Sequence, residues 1–356
     1  MSDSKYLILT CDGGGIRGLM TAMVIQKLNE EVNFLDKIDL FAGTSTGGLI
    51  SLGLASGLPI SQLVDIYSIT NCPNIFKPYN PANSSSWLLK LLKNFLDTEE
   101  KKIIENIEDF VHVKYNNTGL KDILEKNLTE PSQFLESLQS NVLVATFQLE
   151  NSSDKKNPSW RPITLDNLPN NSIKSEKTKI LDAALCTSAA PTFFPPHQHP
   201  TYGYCVDGGV FANNPSTLAL ARVISSGILE EKKLKFQDIR MLSVGTGVNQ
   251  NFIPPSYQPK GPLGYGVTTW LWPKAEGETP SVPLLSILMD GSSIIDDFQV
   301  QMFLDDTRYQ RMNVELTKNI SLDDCSQIPY MKELVDNYTK SDDWKKQKDW
   351  VQENFL

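Results

Sequence analysis

Short apolar runs stopped by glycine alternate with amphipathic stretches at the start of this chain. Tyr6-Leu7-Ile8-Leu9-Thr10-Cys11 runs into Asp12-Gly13-Gly14-Gly15-Ile16-Arg17-Gly18. Its length and the glycine stop predict a buried strand and a loop. Leu19, Met20, Met23, Val24, Leu28 and Val32 then recur at helical spacing. Ile38 to Ala42 reads as a second short strand. Gly43-Thr44-Ser45-Thr46-Gly47-Gly48 follows, and then the apolar stretch Leu49 to Ala55, which suits a buried helix. Two strand–glycine–helix units in succession predict an α/β fold with a parallel, helix-covered sheet.

Residues 71–140 break this rhythm. Pro, Asn and Ser dominate 73–86. Trp87, Leu88, Leu91, Leu92 and Phe95 then share one helical face, with Lys90, Lys93 and Asn94 opposite. Lys121 to Leu128 is another polar-backed helix. The segment reads as a helical insertion and a candidate lid. Strands follow at Val142–Phe147, Tyr204–Asp207 and Met241–Val244, with helices at Ile180–Ala190 and Ser216–Ile224. The stretch 253–283 reads as irregular. In the polar stretch 321–356, Trp344, Val351 and Phe355 fall on one helical stripe. The expected organisation is one catalytic domain over 1–300, extended by helices over 301–356.

The chain has 356 residues, 40% apolar and 21% charged, enough for a sizeable core. A net charge of −9 argues against general nucleic-acid binding. It also means that a lipid surface would be held mainly by apolar contact. No apolar run reaches the roughly 20 residues of a spanning helix. The first residues show no secretory signal pattern. The reading is therefore a cytoplasmic protein, peripheral at membranes, with export by another route left open. Cys11, Cys72, Cys186, Cys205 and Cys325 are odd in number, widely spaced and without Cys-x-x-Cys. They read as reduced thiols, with no disulfide framework and no metal site. No cofactor is called for.

Gly13-x-Gly15-x-x-Gly18 satisfies the dinucleotide fingerprint in form. That reading needs an acidic residue at the far end of the second strand, where Gly43-Thr44-Ser45 stands instead; Asp39 lies at the strand's start. A phosphate P-loop fails because Leu19-Met20 occupies the Lys-Ser/Thr positions.

Gly43-x-Ser45-x-Gly47 fits a nucleophile elbow. A serine on a tight strand-to-helix turn needs glycine two positions either side, where a Cβ would clash. Its hydroxyl then stands at the sheet's C-terminal edge, with the Thr46 N–H facing a developing oxyanion. A second donor must come from another loop, and Gly13, Gly14 and Gly15 offer bare amides at the same edge.

A serine nucleophile needs a base. His112, His197 and His199 are the three histidines, and each suits a solvated helix or loop position better. Asp207, at a strand end before Gly208-Gly209, is the remaining candidate. A carboxylate near pKa 3.9 is a poor base for a hydroxyl, and burial would raise it toward usefulness.

Taken in order, Asp12-Gly-Gly-Gly-Ile-Arg-Gly18, Gly43-Thr-Ser-Thr-Gly47 and Asp207-Gly-Gly209 resemble the patatin-like phospholipase family. Lys114-Tyr115 before Gly119-Leu120, Thr187-Ser-Ala-Ala-Pro-Thr-Phe-Phe-Pro195 and Ser243-Val-Gly-Thr-Gly247 extend the likeness over roughly residues 5–290. Residues past about 300 carry no match. The resemblance implies a three-layer α/β sandwich and a lipid acyl hydrolase of phospholipase A type. It casts Ser45 as nucleophile, Asp207 as base and the Gly13–Gly15 amides as oxyanion hole. Arg17 would hold the glycine loop or a substrate phosphate, with Gly208 and Gly209 supporting Asp207.

Access to lipid requires apolar surface near the site. The Trp87–Phe95 face and Tyr265, Trp270, Leu271 and Trp272 are the candidates. Two further readings stay open: a neutral-lipid or small-ester hydrolase, and a lipid- or partner-binding protein on an inactive fold. An activating protein partner would mimic the latter.

Overall fold

In a computed structural model of the chain, the described residues are 4–79, 113–128, 133–150, 159–170, 177–248, 270 and 282–356. The helical face Trp87–Phe95, His112, Tyr265, Leu271, Trp272 and most of 253–283 lie outside them.

Among the described residues, eight strands form one sheet: β1 (Tyr6–Cys11), β2 (Leu40–Thr44), β3 (Asn141–Gln148), β4 (Arg161–Asp166), β5 (His197–His199), β6 (Gly203–Asp207), β7 (Ile239–Val244) and β8 (Tyr309–Met312). The order is β5-β6-β3-β2-β1-β7-β8, with β4 also on β3. Strands β3, β2, β1, β7 and β8 run parallel, while β4, β5 and β6 are antiparallel to their neighbours. The helices are α1 (Gly18–Val32), α2 (Thr46–Ala55), α3 (Ile60–Ile66), α4 (Cys72–Ile75), α5 (Thr118–Asn127), α6 (Ile180–Thr187), α7 (Gly209–Ala212), α8 (Ser216–Ser226), α9 (Ile228–Glu231), α10 (Pro283–Arg308), α11 (Ile328–Tyr338) and α12 (Asp342–Phe355).

Strand alternation feeds two cores. Leu7, Leu9 and Cys11 of β1 face one side, where α1, α2, α11 and α12 bury Leu19, Leu28, Ile50, Met331 and Trp344. Tyr6 and Ile8 face the other, against Leu220 and Val223 of α8 and Val300 and Leu304 of α10. The result is the expected three-layer sandwich with a mostly parallel sheet.

Residues past 300 do more than extend the domain. Position 300 lies inside α10, and β8 then joins the sheet beside β7. A four-residue strand with only its ends buried is too short to show as an alternating pattern.

Cys72 and Cys325 are paired in a disulfide, their Cα atoms 5.9 Å apart. This corrects the reading of all five cysteines as reduced; Cys11, Cys186 and Cys205 are buried free thiols. The two partners are 253 residues apart in sequence, so spacing along the chain carried no trace of the pairing.

Candidate active site

The β1–α1 and β2–α2 turns emerge side by side at the C-terminal rim, because β1 and β2 pair in parallel up to Cys11 and Gly43. Ser45 sits between β2 and α2 at φ 53°, ψ −123°, a left-handed conformation that a non-glycine residue holds only under constraint. The flanking glycines are sterically required. A Cβ on Gly43 would meet the Gly47 carbonyl oxygen at 2.1 Å, and one on Gly47 would meet that of Cys11 at 2.1 Å. Thr187 locks the turn: its Oγ1 accepts from the Ser45 N–H at 2.9 Å and donates to the Ala145 carbonyl at 2.6 Å.

The register of β3 brings Asp207 to this turn. Its residue Ala145 pairs with Thr44, and the next, Thr146, pairs with Asp207 at the end of β6. With β4 occupying the other edge along this stretch, β6 continues the edge where β2 stops. Asp207 is 1% exposed. Its Oδ1 accepts from the Gly209 N–H at 2.7 Å, and its Oδ2 is buried without a completed hydrogen bond. Burial pushes the carboxyl up to about 7; the Ser45 hydroxyl and the Gly209 N–H pull the other way. Gly208 lets the chain leave β6 closely, since a Cβ there would meet the Ala145 oxygen at 2.4 Å.

The glycine loop is held from three sides. The Gly13 N–H donates to the Asn213 carbonyl at 2.9 Å, and Thr246 Oγ1 donates to the Gly13 carbonyl at 2.8 Å. The Ile16 N–H donates to the Leu322 carbonyl at 2.8 Å. The expectation that Gly13 lends its amide to an oxyanion therefore needs correction: that N–H is already spent. Gly14 and Gly15 have no such backbone partner among the described residues. Asp12, which opens the loop, is clamped by Arg311 of β8, whose Nη1 and Nη2 donate to its two carboxylate oxygens at 3.1 and 2.6 Å. Burial pushes the Arg311 guanidinium down, and the Asp12 carboxylate more than reverses this. Arg17 is buried in the field of Asp290 and Asp12 and is not among the residues that line the cleft.

Ser45, Thr46, Asp207 and Gly15 open onto one small cleft of about 40 Å³. Its walls are apolar: Leu49, Ile75, Phe76, Phe194, Met289 and Leu322 among them. Phe76 stacks against Phe194 at 5.9 Å and edge-on against Tyr115 at 5.3 Å. Among the described residues, no histidine lines the cleft. His197, expected in a loop, lies on β5 with its Nε2 3.0 Å from Asp182 Oδ1. His199 is buried on the same strand, its Nδ1 accepting from the Thr201 N–H at 3.1 Å.

A strap at Ser321–Cys325 closes one wall. Leu322 lines the cleft and its carbonyl holds the glycine loop. Asp323 accepts from Tyr115 Oη at 2.5 Å, from Lys114 Nζ, and from Ser321 Oγ at 2.7 Å. Cys325 is bonded to Cys72 of α4, beside the wall residues Ile75 and Phe76. The Lys114-Tyr115 dipeptide was the one sequence signal touching this strap.

These features define a mainly parallel α/β sandwich whose constrained serine and buried carboxylate meet at the strands' C-terminal rim. The sequence pattern of the patatin-like phospholipase family matches residues 9–220. Patatin-like protein 2 of Arabidopsis thaliana is 30% identical over 82% of this chain and 70% of its own length. Patatin-like protein 1 of the same plant is 29% identical, covering 81% and 68%. A cGAMP-activated phospholipase of Vibrio cholerae is 28% identical, covering 71% and 67%. The chain belongs to the patatin-like phospholipase family, and membership implies lipid acyl hydrolase activity.

Proposed function

We propose that the chain is a serine hydrolase of phospholipase A type, cleaving fatty acyl esters with Ser45 as nucleophile and Asp207 as its base. The observation that carries this reading is the buried Asp207 carboxyl, pushed up to about 7 beside a serine held at φ 53°. A carboxylate at that pKa can accept a hydroxyl proton near neutral pH, which one near 3.9 does poorly.

The steps follow from the geometry. Ser45 Oγ attacks the acyl carbonyl as its proton passes to Asp207. The tetrahedral oxyanion is met by the N–H groups of Gly14 and Gly15, each donor contributing about 2.7–4 kcal/mol. The Thr46 N–H, at the α2 N-terminus, adds a third dipole at that rim. Asp207 returns the proton to the leaving alcohol. A water, deprotonated by the same carboxylate, then clears the acyl-enzyme and frees Ser45. The apolar cleft takes the acyl chain.

The test is labelling by a fluorophosphonate together with turnover on phospholipid, triacylglycerol and a short-chain ester. Labelling and all turnover should vanish in Ser45→Ala. Asp207→Asn should lose turnover, while His197→Ala and His199→Ala keep it. Full activity in Asp207→Asn rejects the dyad. Preference for triacylglycerol or the short ester over phospholipid replaces the phospholipase reading with the neutral-lipid or small-ester one.

A further inference from the structure

Helix α10 carries an apolar face that nothing among the described residues covers. Between Leu284 and Phe303 its exposed positions are Leu284, Ile287, Leu288, Gly291, Ile294, Ile295, Phe298, Gln299, Met302 and Phe303, with Gln299 the one polar side chain. Ile294 is 71% exposed, Met302 66% and Phe298 57%. Elsewhere exposed large apolar residues are scattered along the chain, as at Ile69, Trp160 and Ile224. Ile287, Gly291, Ile294, Phe298 and Met302 follow helical spacing on the side opposite Met289, Asp296, Val300 and Leu304, which are buried. The sequence hides this, because both faces of α10 are apolar and neither shows as an amphipathic stripe.

Two observations identify the occupant. The helix that carries the face also walls the cleft: Met289, on its opposite, buried side, lines it. Ser292 and Ser293, one turn on, accept hydrogen bonds from Asn213, whose carbonyl holds the glycine loop. The charge pattern is the second observation. From Pro283 to Thr307 the helix has Asp290, Asp296, Asp297, Asp305 and Asp306 and no Lys or Arg. A helix of this kind has apolar area to insert and no cation for an anionic surface. We infer that α10 lies in the surface of an uncharged, zwitterionic bilayer and sets the cleft mouth against it. The inference rests on the acyl hydrolase reading for its purpose, but binding is measured apart from turnover.

The experiment uses flotation of full-length Ser45→Ala protein with phosphatidylcholine vesicles. The protein should float with them, equally in low salt and in 0.5 M NaCl, and no better when phosphatidylglycerol is added. Ile294→Ser with Phe298→Ser, both at exposed positions, should weaken partition about tenfold or more. On a Ser45 background the same pair should keep short-ester turnover within about twofold while vesicle hydrolysis falls with the partition. Unchanged flotation of the double variant overturns the inference. So does binding that appears only with anionic lipid. A parent that sediments as a dimer, with a monomeric double variant that still floats, assigns the face to a second copy; a fall in melting temperature with flotation intact assigns it to the chain's own segment 249–281. Loss of short-ester turnover in Ser45→Ala with flotation intact separates the two proposals; short-ester turnover retained in Ser45→Ala would sink the dyad and leave the bilayer face standing.

Discussion

Ser45 and Leu322 line the same cleft, and the chain brings them there by different means. The rim that carries Ser45, the glycine loop and Asp207 is built from strand ends whose register fixes every position: Cys11 beside Gly43, Ala145 beside Thr44, Thr146 beside Asp207. The strap that carries Leu322 belongs to no strand. It is held by point ties: the Leu322 carbonyl to Ile16, Asp323 to Tyr115 and Lys114, Cys325 to Cys72. A rim residue is placed by the whole sheet, so changing its side chain alters chemistry and spares the frame. A strap residue is placed by a few point ties, so cutting them alters the frame near the cleft.

The sharpest way to break this contrast is at the rim. Ser45→Ala should lower kcat by four orders of magnitude or more with a melting temperature at or above that of the parent, since the change removes a hydroxyl rather than a packing group. A large stability loss in that variant would mean that the elbow supports the sheet as well. The Asp12–Arg311 clamp joins the two regions in kind: the Asp12 backbone is held by the Val244 carbonyl of the sheet, its side chain by one guanidinium. Arg311→Leu leaves the buried Asp12 unpaired and should cost about 3–5 kcal/mol, read by denaturant unfolding, with activity lost through the glycine loop.

Smaller effects belong to the strap. Cys72→Ala with Cys325→Ala should lower stability by about 2–4 kcal/mol. Activity should fall through the Leu322–Ile16 hydrogen bond, more on long-chain than on short-chain esters because Leu322, Ile75 and Phe76 wall the acyl cleft. Equal losses on both substrates would show that the strap serves the oxyanion loop alone. Asp323→Asn weakens one tie, partly exposed on the Lys114 side, and should cost about 1 kcal/mol.

The smallest signal is pH dependence, and its sign separates chemistry from stability. The proposed dyad would need Asp207 ionised, so kcat/KM should rise tenfold per pH unit below about 7 and level above it. Stability runs the other way. The folded chain keeps a proton on Asp207 that the unfolded chain releases near 3.9, so this contribution is full below about pH 4 and is lost as pH rises through about 7. Asp207→Asn should flatten the stability curve across that window.

The elbow was legible because its constraints are local. A serine between two glycines after an apolar strand predicts a strained turn, and the structure gives that turn a physical reason in the contacts a Cβ would make at Gly43 and Gly47. The glycine loop was legible as a loop, but not in the use of its amides, since the Gly13 N–H is committed by Asn213 from another part of the chain. Strand β8, the Cys72–Cys325 pairing, Arg311 and the strap left no local pattern; each is defined by a partner in a distant part of the chain.

The sequence by itself determined the alternation of strand, glycine turn and helix, the parallel, helix-covered sheet this builds, and which turn carries a constrained serine. Backbone sterics and burial act over a few neighbouring residues, so a short window of sequence records them. Only the tertiary structure decided that Asp207 sits one register step from the elbow, that burial lifts its carboxyl to about 7, that Leu322 walls the cleft, and that the described residues leave the outer face of α10 uncovered. Those outcomes depend on strand order and on which surfaces meet, quantities set by the packing of distant segments.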